Sequence, residues 1–197
     1  MGQYYKPLLI GDNGAMQTAS PTEYGNGFKL MEHSWVGNNF VNVILQRLDS
    51  APQRLAWIGD YADGLPEEKY HLGGGYIDGE EAFMRYYNAV WGEDTIKEAA
   101  SLGGSLPAYR LSNEEADCFI VNFTKNCYID MEEYVAENKV GDYCINPVPL
   151  LTSVGNGEGG GDYHGNEPEV GSWAFDRLYV TILRPAKMEK VMFHFHE

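Results

Sequence analysis

The chain is 197 residues long, 44% apolar and 13% aromatic, with a formal net charge of −15 at pH 7. Those proportions suit one domain over residues 1–197 and argue against wholesale disorder. Acids outnumber bases ten to four over residues 51–100 and twelve to two over residues 111–170; with no basic cluster to interrupt it, that field opposes direct nucleic acid binding and favours a protein partner with a basic surface.

Tyr4 to Ile10 reads as a strand ended by the turn Gly11-Asp12-Asn13-Gly14, with Ala15 to Ala19 returning as its hairpin partner. From Asn38 or Asn39 the apolar residues Phe40, Val41, Ile44, Leu45 and Leu48 recur at spacings of three and four, a helix that asparagine can cap. Arg54 to Ile58 is a short buried strand that delivers Asp60 at its end. Asp78 to Trp91 is the clearest helix: Asp78 can cap, Glu80 and Glu81 suit the positive N-terminal end, and Phe83, Tyr87, Val90 and Trp91 form a stripe. Asp94 to Ser101 reads as a further short helix.

Cys118 to Phe123 and Cys127 to Ile129 flank Thr124-Lys125-Asn126 as a hairpin. Asp130 with Glu133 forms a capping box that opens a helix to about Glu137. Val148 to Val154 reads as extended, with Pro147 and Pro149 placing it at a sheet edge. Arg177 to Leu183 and Glu189 to Phe195 read as a terminal hairpin. Strands that come in hairpins, with three or four helices inserted and no regular βαβ alternation, predict an α+β fold around a mainly antiparallel sheet.

The densest local signal is Gly155 to Gly165, with six glycines in eleven positions. So much backbone freedom in a folded chain points to unusual φ/ψ angles or close backbone approach. Gly157, Gly159, Gly160, Gly161 and Tyr163 are the expected ligand-binding residues. Asp162 and His164, two apart, share one side of an extended segment; with Glu158 or Asp60 they make an oxygen-rich set suited to a divalent cation. No Gly-Lys-Ser/Thr accompanies the glycines, so a nucleotide cradle is not indicated.

Among other chemistry-bearing residues, His33 stands beside Ser34 as a candidate general base and Asp60 as its acidic counterpart. His194 and His196 share a strand face, and Cys144 precedes the glycine-rich stretch. Cys118, Cys127 and Cys144 lack CxxC spacing, which opposes a disulfide framework or zinc knuckle and suits the cytoplasm. The N-terminus carries neither a signal-peptide nor a membrane-span pattern.

Three segments, Trp57 to Asp63, Ile120 to Ile129 and Trp173 to Leu178, together with the glycine-rich stretch, resemble motifs of a family of small uncharacterised bacterial and phage proteins. The family has histidine at the position of Phe123 and glycine at that of Phe175. The resemblance implies a shared fold, and no activity comes with it. Two functions are open: a binding or interaction protein, or a small hydrolase or transferase with a metal-assisted site at the glycine-rich stretch.

Overall fold

The computed structural model describes residues 3–64, 79–92, 111–112, 115–155, 163, 165 and 167–195. Its eight strands form one sheet, β1 Tyr5–Ile10, β2 Met16–Thr18, β3 Gln53–Gly59, β4 Phe119–Asn122, β5 Cys127–Asp130, β6 Ser153–Val154, β7 Arg177–Thr181 and β8 Glu189–Lys190. The order is β2-β1-β3-β7-β4-β5-β8, with β6 also on β3. Among the described residues the parallel pairs are β3–β6 and β5–β8. With four helices, α1 Asn39–Ser50, α2 Gly79–Trp91, α3 Met131–Asn138 and α4 Pro147–Leu151, the architecture is α+β.

Alternation along the central strands sends side chains to two cores. Leu9, Leu55 and Trp57 face one side, with Ile120, Ile129, Leu178 and Val180, and there α1 buries Phe40, Val41, Ile44, Leu45 and Leu48. Leu8, Ile10, Ala56 and Ile58 face the other, where α2 adds Tyr86, Ala89 and Val90. The α1 stripe lies where the apolar spacing puts it, and Asn38 caps it by accepting from the amides of Phe40 at 2.9 Å and Val41 at 3.2 Å. Asp130 caps α3 by accepting from the Glu133 amide, while the Glu133 carboxylate is held by Lys190. Asn126, at φ 54, closes the β4–β5 turn in the left-handed region that asparagine tolerates.

Two expected elements differ. Pro147 and Pro149 do not hold an extended edge; residues 147–151 are helical. Proline costs nothing in a first helical turn, whose amides have no intrahelical acceptor, and Asn146 supplies the cap by accepting from the Val148 amide at 3.1 Å. Only Ser153–Val154 of that stretch is a strand. The terminal hairpin is also absent: β7 lies between β3 and β4, and β8 pairs in parallel with β5. β4 takes one edge of β7 from Leu178 to Thr181 and β3 the other at Arg177 and Leu178, while the returning chain pairs on the far side of β5. The proposed helix from Asp94 to Ser101, and Asp78 as a cap, lie outside the described residues.

One edge of β3 changes partner midway, and this positions the site. Gln53 and Arg54 pair with β7. Leu55 then bonds the turn that precedes β7, donating to Asp176 O at 3.3 Å and accepting from Phe175 N at 2.8 Å. Trp57 and Ile58 pair with β6. Phe175 makes the divergence with a left-handed backbone, φ 60, and the Arg54 guanidinium donates to its carbonyl at 3.0 Å.

Candidate functional site

Because β3 and β6 run parallel, their carboxyl ends emerge side by side, one as Gly59-Asp60 and the other as Val154-Gly155. The crevice beyond the carboxyl ends of parallel strands is where α/β sheets commonly seat ligands. Gln3, only 1% exposed, lies across both ends. Its Oε1 accepts from the Tyr5 hydroxyl at 2.8 Å. A Cβ on Gly59 would sit 2.3 Å from Gln3 Nε2, and one on Gly155 would sit 2.7 Å from Gln3 Oε1 and from Tyr5 Oη. Glycine at both strand ends is what admits the glutamine amide. Gln3 Nε2 is buried with no hydrogen-bond partner among the described residues.

Asp60 is half-buried and its position is fixed from two directions. Tyr4 N donates to Asp60 Oδ1 at 2.8 Å, and Asp60 N returns a bond to Tyr4 O at 2.9 Å. From α2, the Tyr87 hydroxyl donates to Asp60 O at 2.8 Å and Trp91 Nε1 to Ile58 O at 3.1 Å. Burial raises the Tyr87 phenol above its ordinary pKa, with the negative charge of Asp60 acting in the same direction.

His33 occupies different surroundings. It is fully buried, stacked on Trp57 and edge-on to Phe40. Trp57 Nε1 lies 3.0 Å from His33 Nε2. Indole only donates, so Nε2 is the acceptor and the ring proton sits on Nδ1, which donates to Gly27 O at 3.1 Å. Burial lowers the pKa to about 4, against the opposing pull of the Gly27 carbonyl and Glu32. Ser34, its neighbour in sequence, donates instead to Leu30 O. A ring with both nitrogens engaged and no exposed surface has no free lone pair to offer a substrate. His33 makes no hydrogen bond to Asp60.

The cysteines are free and buried. Burial pushes the thiols of Cys118 up to about 12 and of Cys127 and Cys144 to about 11, which holds them in the unreactive protonated form. Among the described residues no three of histidine, cysteine, aspartate and glutamate group as metal ligands. Of the expected cation set, Asp60 is described; Glu158, Asp162 and His164 lie outside the described residues, as do Gly157, Gly159, Gly160, Gly161 and His196. Tyr163 is described: its hydroxyl donates to Glu167 Oε2, and its ring stands edge-on to Phe195. His194 Nδ1 lies 3.2 Å from Asn138 Oδ1.

Two of the motif segments meet away from this edge. Asn122 Nδ2 donates to Asp176 Oδ2 at 2.8 Å with both residues fully buried. Arg177 N donates to Thr124 Oγ1 at 2.9 Å. Their shared role is to join β4 to β7. Sequence reasoning passes over Gln3 and Tyr5; the only trace of their role is a glycine at each of the two strand ends they cover. No helix of the described residues is long and apolar enough to cross a membrane. In comparisons with protein-family models, with curated proteins and with solved structures, nothing matches the chain.

Proposed function

We propose that the chain is a cytoplasmic binding protein that receives a basic segment of a protein partner at the shared end of β3 and β6. The observation that carries this reading is the parallel β3–β6 pair, which brings the Asp60 carboxylate and the start of the glycine-rich stretch to one edge. That stretch carries Glu158 and Asp162 in sequence, and their negative charge favours a cationic partner. The engagement of His33 and the three thiols in packing supports binding over covalent chemistry. The net charge of −15 favours a basic partner and opposes nucleic acid. The resemblance to bacterial and phage proteins belongs to the same proposal, as a setting for such a partner.

The second reading is a small hydrolase or transferase that holds a divalent cation with Asp60, Asp162, Glu158 and His164. The same strand geometry favours it, because Asp60 already stands at the base of that stretch.

Titration with fluorescent oligolysine separates the two. At low salt the wild-type chain is expected to bind, with affinity falling as screening rises. Asp60→Asn is expected to weaken binding about threefold to fivefold, the effect of one partly exposed ion pair worth roughly 1 kcal/mol. Equal affinities for the two proteins would overturn the binding reading. Magnesium or manganese binding in calorimetry, abolished by Asp60→Asn, would favour the enzyme instead.

A further inference from the structure

We infer that the cation received at Asp60 is a guanidinium, so that the partner's basic segment is read there as arginine; this rests on the binding reading of the β3–β6 edge. The planar group bonds the Asp60 carboxylate and lies against the exposed rings of Tyr4 and Tyr61.

Register puts the carboxylate and a ring on one face. Tyr5 pairs with Gly59 and Lys6 with Ile58, and one step further along Asp60 N donates to Tyr4 O, so Tyr4 stands opposite Asp60. Side chains directly opposite one another share a face, and so do those two positions apart along a strand. Tyr4, Asp60 and Lys6 therefore project with Ile58 to the side that α2 covers. From that side Tyr87 and Trp91 bond the Asp60 and Ile58 carbonyls. The Phe28 ring links Tyr4 to Trp91, with centroids 5.7 Å from the first and 6.4 Å from the second. Tyr61 follows Asp60 in the turn that Ala62 N closes by donating to Gly59 O at 3.1 Å. After burial, Asp60 and then Tyr61 raise the Tyr87 phenol, so both lie within electrostatic reach of its hydroxyl.

What this end leaves open selects the cation. The Asp60 carboxylate accepts from Tyr4 N through Oδ1; among the described residues its Oδ2 has no hydrogen bond and the group has no ion pair. Tyr4 is 45% and Tyr61 47% exposed, and Tyr61 makes no ring contact among the described residues. The face already holds the ammonium of Lys6, which lies 4.1 Å from the Trp91 centroid and donates to Val90 O at 3.4 Å. That cation engages the inner ring and leaves the two outer tyrosines open. Its charge opposes an incoming lysine and an incoming arginine alike, so the rings and the carboxylate make the choice. An ammonium at Asp60 is a strongly hydrated point charge, whereas a guanidinium offers paired donors to the carboxylate, gives up its hydration more readily and stacks its plane on tyrosine. The chain uses that combination within itself: Arg177 donates to the Asp12 carboxylate through Nε and Nη2, while its guanidinium carbon stands 5.9 Å from the Phe123 ring centroid.

The test is fluorescence anisotropy with labelled oligoarginine and oligolysine of equal length at one ionic strength. The wild-type chain is expected to bind oligoarginine about fivefold to tenfold more tightly than oligolysine. Tyr4→Leu and Tyr61→Leu keep apolar bulk and remove the hydroxyl and the π face; each is expected to weaken oligoarginine about threefold, the effect of one exposed cation–π contact, and to change oligolysine by less than about twofold. Both positions are exposed, and an unchanged thermal transition confirms that the variants fold. Equal affinity for the two peptides or a preference for oligolysine, with Asp60→Asn still weakening both, would leave the seat at Asp60 standing and overturn the arginine assignment. A preference for oligoarginine that survives both tyrosine changes would overturn it as well. Binding of both peptides that ignores Asp60→Asn would overturn the seat itself, and the arginine assignment with it.

Discussion

Lowering the pH from 7 to 5 is expected to remove about 2 kcal/mol of folding stability through His33 alone. Above pH 6.5 the ring is neutral in both the folded and the unfolded chain, and the native interactions of His33 contribute in full. As pH falls from 6.5 towards 4 the unfolded chain takes up a proton that the folded chain refuses, because the site is buried and Nε2 is committed to Trp57. Unfolding therefore gains ground throughout that window, by about 3 kcal/mol in full, and the slope ends below pH 4, where both states are protonated. Urea unfolding at pH 7, 6 and 5 measures this. His33→Gln, which keeps a donor and an acceptor but cannot titrate, is expected to show a shallower decline, with the difference between the two proteins shrinking as pH falls. Parallel declines would mean that the ring is protonated freely in the folded state.

Asn122→Ala is expected to cost about 2–4 kcal/mol, an effect of the size seen when a buried charged group loses its hydrogen-bond donor. The amide faces Asp176 Oδ2 in an environment with no exposed surface, and its own Oδ1 accepts from Lys125 N at 3.0 Å in the β4–β5 turn. Alanine removes both of these bonds from a fully buried pair. Because Asp176 also receives Leu55 N through its carbonyl, the damage falls where β3, β7 and β4 converge. Lys125→Ala, an exposed neighbour whose backbone bond survives, serves as the control and is expected to change stability by less than about 0.5 kcal/mol. Chemical denaturation of the three proteins decides it: a cost for Asn122→Ala no larger than for Lys125→Ala would show that the pair is dispensable.

Much of the architecture is written locally. Asn38 before an apolar stripe, Asp130 before another helix, and a polar Thr124-Lys125-Asn126 turn between two apolar runs each specify an element through contacts a few residues apart. Of the misread elements, one depends on a partner remote in sequence and the other on a neighbouring cap that the prolines obscure. Nothing near Glu189 announces a parallel pairing with Cys127, and two prolines read equally as an extended edge or as a helix start until Asn146 is seen to cap them. The site divides in the same way. Asp60 is visible because its strand ends in glycine. The meaning of His33 is set by Trp57, 24 residues away, and adjacency to Ser34 points elsewhere. Gln3 is silent in the sequence because its role comes from the convergence of Gly59 and Gly155, which are 96 positions apart.

The most direct test of the proposed locus is an amide chemical-shift map of isotopically labelled protein titrated with oligolysine at low salt. Perturbations concentrated on Gly59, Asp60, Tyr61 and Gly155, and lost in Asp60→Asn, are the predicted result. Shifts spread over the acidic surface of α3, around Glu132 and Glu137, with Asp60 unmoved, would show diffuse attraction to a negative protein and contradict a seat at the end of β3 and β6.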